Sequence, residues 1–427
     1  MLTYHVPRVL YGIVCFFCLV QTVASVDLGL ECTVFDVGQG SGAVIRDKQR
    51  GVSFIIDAGN SGSKEETSPL LRRFNNAIFG KAGSRQRVAG ILLSHSDGDH
   101  VQLLTRVLNT NSRVLKDQNT HPDQTITAYL GSPFTGYLVG SGKPCLDALV
   151  AVNARIRSLS HVMTSEEVYK VQRGEVAMTM VPRSFFMNTL IPEFSDPTRE
   201  LTMIIMAANA LHEGASKFLG TEDVPGSLDD ATPEADTVFG EGTNNNGAIV
   251  KLTYRGKRII FPGDVDGDHG TDKLLAQVPA IVPPLFLKAD ILLSAHHGAD
   301  RGRTNNIAWL LMSDPHYIIV SAGERGGDFI HPRFSVLYTM AGVLRLNVHR
   351  VLPHIIQCGD PTGSLIRGSL KVRDHFCLEA GSLVEAKESH GIEWMIMSTH
   401  LPLYTTRTSG DIQIFLSAMG DLTIGET

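Results

Sequence analysis

Residues 91–100 read ILLSHSDGDH. Ile91, Leu92 and Leu93 form a short apolar run, the pattern of a buried strand, and the chain then passes directly into His95, Asp97, Asp99 and His100. Four side chains able to bind metal fall within six residues. In an extended segment His95 and Asp97 point the same way, because side chains alternate. A turn into helix at Gly98 lets Asp99 and His100 face a second point. The stretch offers two ligand pairs to two adjacent cations, and an Asp/His donor set suits zinc or manganese. The competing reading is an aspartate-rich turn that caps a helix over 101–108, with the histidines incidental.

Outward from this stretch, strand after strand ends in a polar cluster. Upstream, residues 30–36 (LECTVFD) alternate as a strand and run into VGQGSG. Ala43 to Arg46 and Val52 to Ile56 read as a strand pair ending in Asp57-Ala58-Gly59, and the glycines fit tight turns better than a phosphate cradle. An amphipathic segment near Leu70 to Ile78 reads as a surface helix. Downstream, Ala248 to Tyr254 and Arg258 to Phe261 form a hairpin about Arg255-Gly256 that ends in Pro262-Gly263-Asp264. Asp290 to Ser294 is a strand leading into His296-His297-Gly298, and Tyr317 to Ser321 another ending in Ala322-Gly323, with His331-Pro332 beyond. Loops at one edge of a rigid sheet are where catalytic groups collect. The middle of the chain predicts strands over Thr125 to Leu130 and Glu175 to Met180, and helices over Leu146 to Arg157 and Thr198 to Leu211. His121, His161 and His212 lack metal-type neighbours and read as surface or structural residues. Residues 221–246 are acidic and rich in loop formers, the pattern of a long exposed loop.

The chain has 427 residues, 43% hydrophobic and 19% charged, which is the composition of a globular protein with a large core. A net charge of −6 argues against non-specific coating of nucleic acid. It does not exclude a nuclease, whose metals supply local positive charge. Residues 1–25 carry His5 and Arg8, then an apolar run from Val9 to Val20, then the small residues Thr22, Ala24 and Ser25. This is the pattern of an export signal, or of an uncleaved amino-terminal anchor, and either puts the folded part outside the cytoplasm. No later segment has 18 uninterrupted apolar residues, so no further membrane span is expected. Cys15 and Cys18 lie in the signal. Cys32, Cys145, Cys358 and Cys377 allow three disulfide pairings in an exported chain, with Cys358–Cys377 the nearest pair.

Together these residues resemble the metallo-β-lactamase superfamily of binuclear hydrolases, and within it the exported hydrolase domain of ComEC-type DNA-uptake proteins. The pattern is a strand followed by DVGQG (Asp36 to Gly40), a strand ending in DxG (Asp57 to Gly59), and a histidine signature whose second histidine is an aspartate (His95 to His100). It continues with an asparagine-bearing segment (Asn244 to Gly247), GD (Gly263-Asp264), HHG (His296 to Gly298), HP (His331-Pro332) and a final strand pair around a Gly-Asp turn (Leu403 to Phe415). The resemblance covers most of residues 28–427. It implies an α/β fold of the four-layer αββα sandwich type, with metals at one edge between the two sheets. Residues 110–240 and 345–400 exceed the family's minimal domain and are expected to be insertions. The chain lacks ComEC's multi-span channel, so DNA transport does not carry over.

The resemblance also implies a site. His95 and Asp97 would hold one metal, Asp99 and His100 the other, with Asp264 bridging and His296 or His297 completing the second set; His296, nearer the strand, is favoured. Asp57 would accept a hydrogen bond from a ligand histidine, or act as a turn former, and Asp36 would be structural. The first metal has no clear third ligand, the gap falling to His212, Asn245, Asn246 or water. Two ions per chain, Zn²⁺ or Mn²⁺, are expected, the first weakly held. The implied chemistry is hydrolysis by a hydroxide held between two cations. Asp99 would orient it and take its proton, and His331 would assist the leaving group or the developing anion. Arg301, Arg303 and Arg325 would bind phosphate oxygens, solvated charge being the alternative for each. A phosphodiesterase or nuclease is expected first, with nucleic acid or another phosphodiester as substrate, because the aspartate in place of histidine favours hard, Mn²⁺-like Lewis acids. A hydrolase of a lactone, lactam or other acyl substrate is the second reading, and a non-catalytic binding module the third.

Overall fold

The structure is a computed structural model and describes residues 29–60, 67–80, 86–175, 181–182, 186–208, 244, 247–267, 271–272, 274–276, 284–299, 303–323, 331–332, 334–347, 369–370, 383–387, 394–398, 403–406 and 410–426. Residues 1–28, which include the stretch expected to be an export signal or anchor, Cys358, Cys377, residues 176–180 and all of residues 221–246 except Asn244 lie outside the described residues.

The first half of the chain supplies β1 (Leu30–Val34), β2 (Gly42–Asp47), β3 (Val52–Ala58), β4 (Arg87–Leu93), β5 (Thr127–Leu130) and β6 (Arg155–Ser158). The second sheet takes β7 (Phe186–Leu190), β8 (Leu201–Ala208), β9 (Ile249–Tyr254), β10 (Lys257–Phe261), β11 (Ile291–Leu293), β12 (Tyr317–Val320) and β13 (Leu403–Thr405). The chain then returns to the first sheet with β14 (Ile412–Leu416) and β15 (Leu422–Glu426), giving the orders β15-β14-β1-β2-β3-β4-β5-β6 and β13-β12-β11-β10-β9-β8-β7. Each sheet is antiparallel at one end and parallel at the other: β3 to β6 run parallel, as do β10 to β13. The carboxyl ends of the parallel strands therefore lie along one edge of each sheet, where ligands collect in such folds.

Three cores separate four layers. Cys32, Val34, Ile45, Phe54 and Ile56 of the first sheet meet Met203, Ile205, Val250, Leu252, Ile259, Ile291 and Ile319 of the second. On its outer face the first sheet packs Val44, Ile55 and Ile91 against α1 (Thr67–Phe79), α2 (Gly98–Thr110) and α3 (Gly142–Ala151). The second sheet packs Ile249, Ile260, Leu292 and Ile318 against α4 (Ile307–Ser313) and α5 (Phe334–Asn347). The architecture is a four-layer αββα sandwich. The alternation is legible in single residues: Val44 faces helices and Ile45 faces the other sheet, as a strand period of two requires. No helix among the described residues is long and apolar enough to cross a membrane. Cys32 and Cys145 are free and buried, so the pairing of these two does not form.

Three expectations are corrected. The helix expected over Thr198 to Leu211 is instead β8, with Leu201, Met203 and Ile205 in the inter-sheet core and Met206 and Ala207 against the outer helices. A strand buried on both faces has no polar side, so its apolar run is indistinguishable from a buried helix by periodicity. The helix expected over Leu146 to Arg157 starts at Gly142, ends at Ala151, and gives way through Asn153 (φ 59°) to β6. There Ile156 and Ser158 are buried while Arg155 and Arg157 are exposed. The segment expected as a final hairpin is divided between the sheets: β13 lies parallel to β12 in the second, and β14 is antiparallel to β1 in the first. Asp411 is part of a crossing, not a hairpin turn. It accepts from the Asp36 backbone N–H at 2.9 Å and from Arg73 Nε at 2.8 Å. The true hairpin is β14–β15.

Candidate metal centre

Three segments at the shared edge build one cluster: residues 94–100, Asp264, and His296 with His297. β4 ends at Leu93, and residues 94–97 cross the edge before α2 begins at Gly98. Asp97 occupies the N-cap position of α2, yet its carboxylate makes no capping hydrogen bond. The capping alternative for the aspartate-rich turn therefore loses its physical basis, since a cap's stabilisation comes from that bond. Asp97 Oδ2 instead lies 3.7 Å from His95 Nε2. Asp264 follows β10, and its two carboxylate oxygens face four rings: His100 Nε2 at 3.1 Å, His297 Nε2 at 3.5 Å, His296 Nε2 at 3.8 Å and His95 Nε2 at 3.9 Å. Asp99 Oδ2 lies 3.8 Å from His297 Nε2.

Two triads bring one ligand-type atom each to within 4.8 Å of one another: His95, His100 and Asp264, and Asp99, His100 and His297. Of the two rings offered by the HHG motif, His296 favoured over His297, it is His297 that stands in the triad. His296 and His297 sit at φ 48° and 54°, with Gly298 at φ 80°. This left-handed path leaves His297 3% exposed while the His296 side chain stays 17% exposed. Asn305 clamps the loop, accepting from the Ala295 N–H and donating to the Ala295 carbonyl, both at 2.9 Å.

The outer ring nitrogens explain the inner ones. His297 Nδ1 is 2.9 Å from the Ser321 carbonyl oxygen, an obligate acceptor, so Nδ1 carries the proton. His100 Nδ1 is 2.9 Å from Asp57 Oδ2. His95 Nδ1 is 3.0 Å from Ser94 Oγ. That leaves Nε2 of His95, His100 and His297 buried and turned toward Asp264, none of them in hydrogen-bonding geometry with a partner among the described residues. A buried polar atom without a partner is costly, and three beside one carboxylate are the donor set of a zinc-type ion, each held by an outer partner. The residues fit a metal. A cavity of about 20 Å³, lined in part by Asp57, Asp264, His297 and Ser321, adjoins them and has room for one water-sized occupant.

Without metal the cluster is electrostatically tense. Burial pushes the Asp264 carboxyl up, but His100, His297 and His296 outweigh it and hold it well below its ordinary range. Burial lowers His100 too, and Asp264 and Asp57 more than offset this, so His100 is raised well above an ordinary imidazole. Burial keeps His95 and His296 low.

The remaining expected residues fall as follows. His331 is buried, its ring centroid 5.8 Å from that of His296. Arg303 pairs with Asp272 at 3.2 Å with its side chain 65% exposed, the solvated-charge position. Arg301, Arg325, His212, Asn245 and Asn246 lie outside the described residues. Asp36 accepts from the Gly38 N–H at 3.2 Å and shapes the glycine-rich turn, which meets the second sheet where Ser321 Oγ donates to the Gly40 carbonyl at 2.8 Å. Sequence reasoning missed Ser94, Asn305 and Ser321. A hydroxyl directly before the first histidine was a usable signal for Ser94; Ser321 and Asn305 act through contacts that no local pattern announces.

No family model matches the chain, and no curated protein matches it in sequence. Among solved structures, the 1.98 Å crystal structure of Zn²⁺-bound PqqB from Methylobacterium extorquens is similar at 13% identity and a TM-score of 0.32, covering 69% of this chain and 89% of that one. The layer order rests on the strand pairing described above, not on this likeness.

Proposed function

We propose that the chain is a metal-dependent hydrolase that cleaves phosphodiesters, nucleic acid among them, outside the cytoplasm. The observation that carries the reading is the convergence on Asp264 of three buried Nε2 atoms that have no hydrogen bond among the described residues. His95, Asp97 and Asp264 would hold one divalent ion, and Asp99, His100, His297 and Asp264 a second, Zn²⁺ or Mn²⁺. Such a pair acidifies a water and neutralises charge on the attacked oxygen when bound.

The chain's own groups do the rest. Asp99 orients the attacking water and takes its proton. His331, beside His296, donates a proton or hydrogen bond on the leaving-group side. Asp57 and the Ser321 carbonyl hold the rings of His100 and His297 in the ligand tautomer. Asp97, a hard oxygen donor at the second histidine of the signature, supports phosphodiester over acyl chemistry. Export rests on the pattern of residues 1–25.

The test is metal content followed by turnover. Protein loaded with zinc or manganese is assayed on bis-p-nitrophenyl phosphate and DNA, and on lactone and lactam substrates. Cleavage of the phosphodiesters is expected. Opening of a lactone with every phosphodiester spared would overturn the substrate class, and failure to take up metal would overturn the hydrolase.

A further inference from the structure

We infer that Ser94 is a positioning residue that passes the polarity of Asp57 to His95, so that one buried carboxylate sets the ring tautomer of two histidines. The inference rests on the metal-site reading above and adds a residue to it.

Three bonds carry the inference. The Ser94 backbone N–H donates to Asp57 Oδ1 at 2.7 Å, which fixes the carboxylate so that Oδ2 faces the Ser94 hydroxyl. Ser94 Oγ–H donates to that Oδ2 at 2.8 Å. A hydroxyl has one proton and two lone pairs. With its proton committed to Asp57, Ser94 Oγ can only accept from His95 Nδ1, 3.0 Å away. His95 therefore carries its proton on Nδ1 and keeps a lone pair on Nε2, the atom that faces Asp97 and Asp264. Asp57 Oδ2 acts on His100 directly, at 2.9 Å from Nδ1, nearer than Ser94 Oγ at 3.2 Å. Among the described residues Ser94 Oγ is the one hydrogen-bond partner of the His95 ring. The hydroxyl is also confined: a Cβ built on Gly263 would lie 2.7 Å from Ser94 Cβ, so the backbone after β10 packs directly on it.

A structural hydroxyl and a relay differ in what happens when the source of polarity is inverted. In Asp57→Asn, the amide oxygen keeps the Ser94 N–H and the NH₂ faces Ser94 Oγ. The hydroxyl must then accept from the amide and donate to His95 Nδ1, which moves the His95 proton to Nε2. Ser94→Ala should consequently act in opposite directions in the two backgrounds. With Asp57 in place it should weaken zinc affinity about 10–100-fold, the usual loss for an outer partner. In the Asp57→Asn background it should raise the affinity, because the misdirecting donor is gone.

The experiment measures zinc affinity by chelator competition for the wild type, Ser94→Ala, Asp57→Asn and the double variant. In parallel, ¹⁵N spectra of the His95 ring are recorded on metal-free protein at a pH where the ring is neutral. A single Nδ1–H form is expected in the wild type, a mixture in Ser94→Ala, and Nε2–H in Asp57→Asn. A single Nδ1–H form surviving in Ser94→Ala, or Ser94→Ala weakening zinc in both backgrounds, would overturn the relay. If Asp57→Asn does not fold, the Ser94→Ala spectrum decides alone. If the wild type takes up no zinc, the hydrolase reading fails while the tautomer series still decides the relay.

Discussion

Gly59 lies so close to Asp99 that a Cβ on it would come 1.6 Å from the Asp99 carbonyl oxygen and 1.8 Å from its carbon. The contact seats the first turn of α2 on the end of β3, and Ser41 N–H adds a 2.9 Å bond to the same carbonyl. Gly59→Ala should displace Asp99 and His100 together. A loss at the upper end of about 1–3 kcal/mol is expected from overpacking, with metal content falling in the fraction that folds. Thermal unfolding and elemental analysis check both.

Asp264→Ala removes the carboxylate that all four rings face. It should abolish most metal binding and activity while the circular dichroism spectrum stays native. Metal stoichiometry equal to the wild type's would rule out a bridging role.

His297→Ala should cost more metal affinity than His296→Ala. His297 Nε2 is buried without a partner and belongs to a ligand triad, whereas the His296 side chain is 17% exposed. Chelator competition on the two variants gives the order, and the reverse order would return the ligand role to His296.

The pH dependence of stability carried by these rings should disappear when metal is bound. His100 and His297 are raised above 6.5 by Asp264, so between 6.5 and their folded values the metal-free protein holds protons that the unfolded chain has released. Stability of the metal-free form should therefore fall as pH rises through that window. His95 and His296, lowered by burial, are neutral in both states there and add no slope. Zinc needs the deprotonated rings, so zinc affinity should rise over the same window, and the loaded form, whose rings hold no more protons than the unfolded chain's, should show almost no slope from them there. Unfolding midpoints with and without zinc across that range provide the comparison.

Asp47 is fully buried far along β2 from the cluster. It accepts from the Gln49 and Arg50 N–H groups at 3.0 and 3.1 Å and pairs with Arg199. Asp47→Ala should destabilise by about 3 kcal/mol, since it strands a largely buried guanidinium. Metal stoichiometry should not change in the folded fraction, separating stability from site chemistry.

The parts of the fold that the sequence made legible are those where local pattern and tertiary environment agree. The β9–β10 hairpin and the helix at Leu70 to Ile78 alternate or repeat as their burial demands, and β4, covered on both faces, was legible as a short apolar run ended abruptly by polar residues. β8 failed because both its faces are covered, and the 403–415 segment failed because a Gly-Asp pair looks the same in a hairpin turn and in a crossing between sheets. Within the site, the histidines and aspartates were visible as residue types at strand ends. The choice between His296 and His297 was not, because it depends on two consecutive left-handed residues that no neighbouring side chain signals. Arg303 was placed by proximity in sequence, while its guanidinium went to Asp272.

The pairing of Leu30–Val34 with Ile412–Leu416 joins residues nearly four hundred positions apart. During synthesis the first strand emerges early and has one neighbour, β2, long before the other exists. Until residues 412–416 leave the ribosome, that apolar edge is open to any passing strand. Such distant closure makes for slow maturation, so the chain's most exposed moment comes before its first sheet can be finished, and a chaperone-poor expression host should lose it there to aggregation.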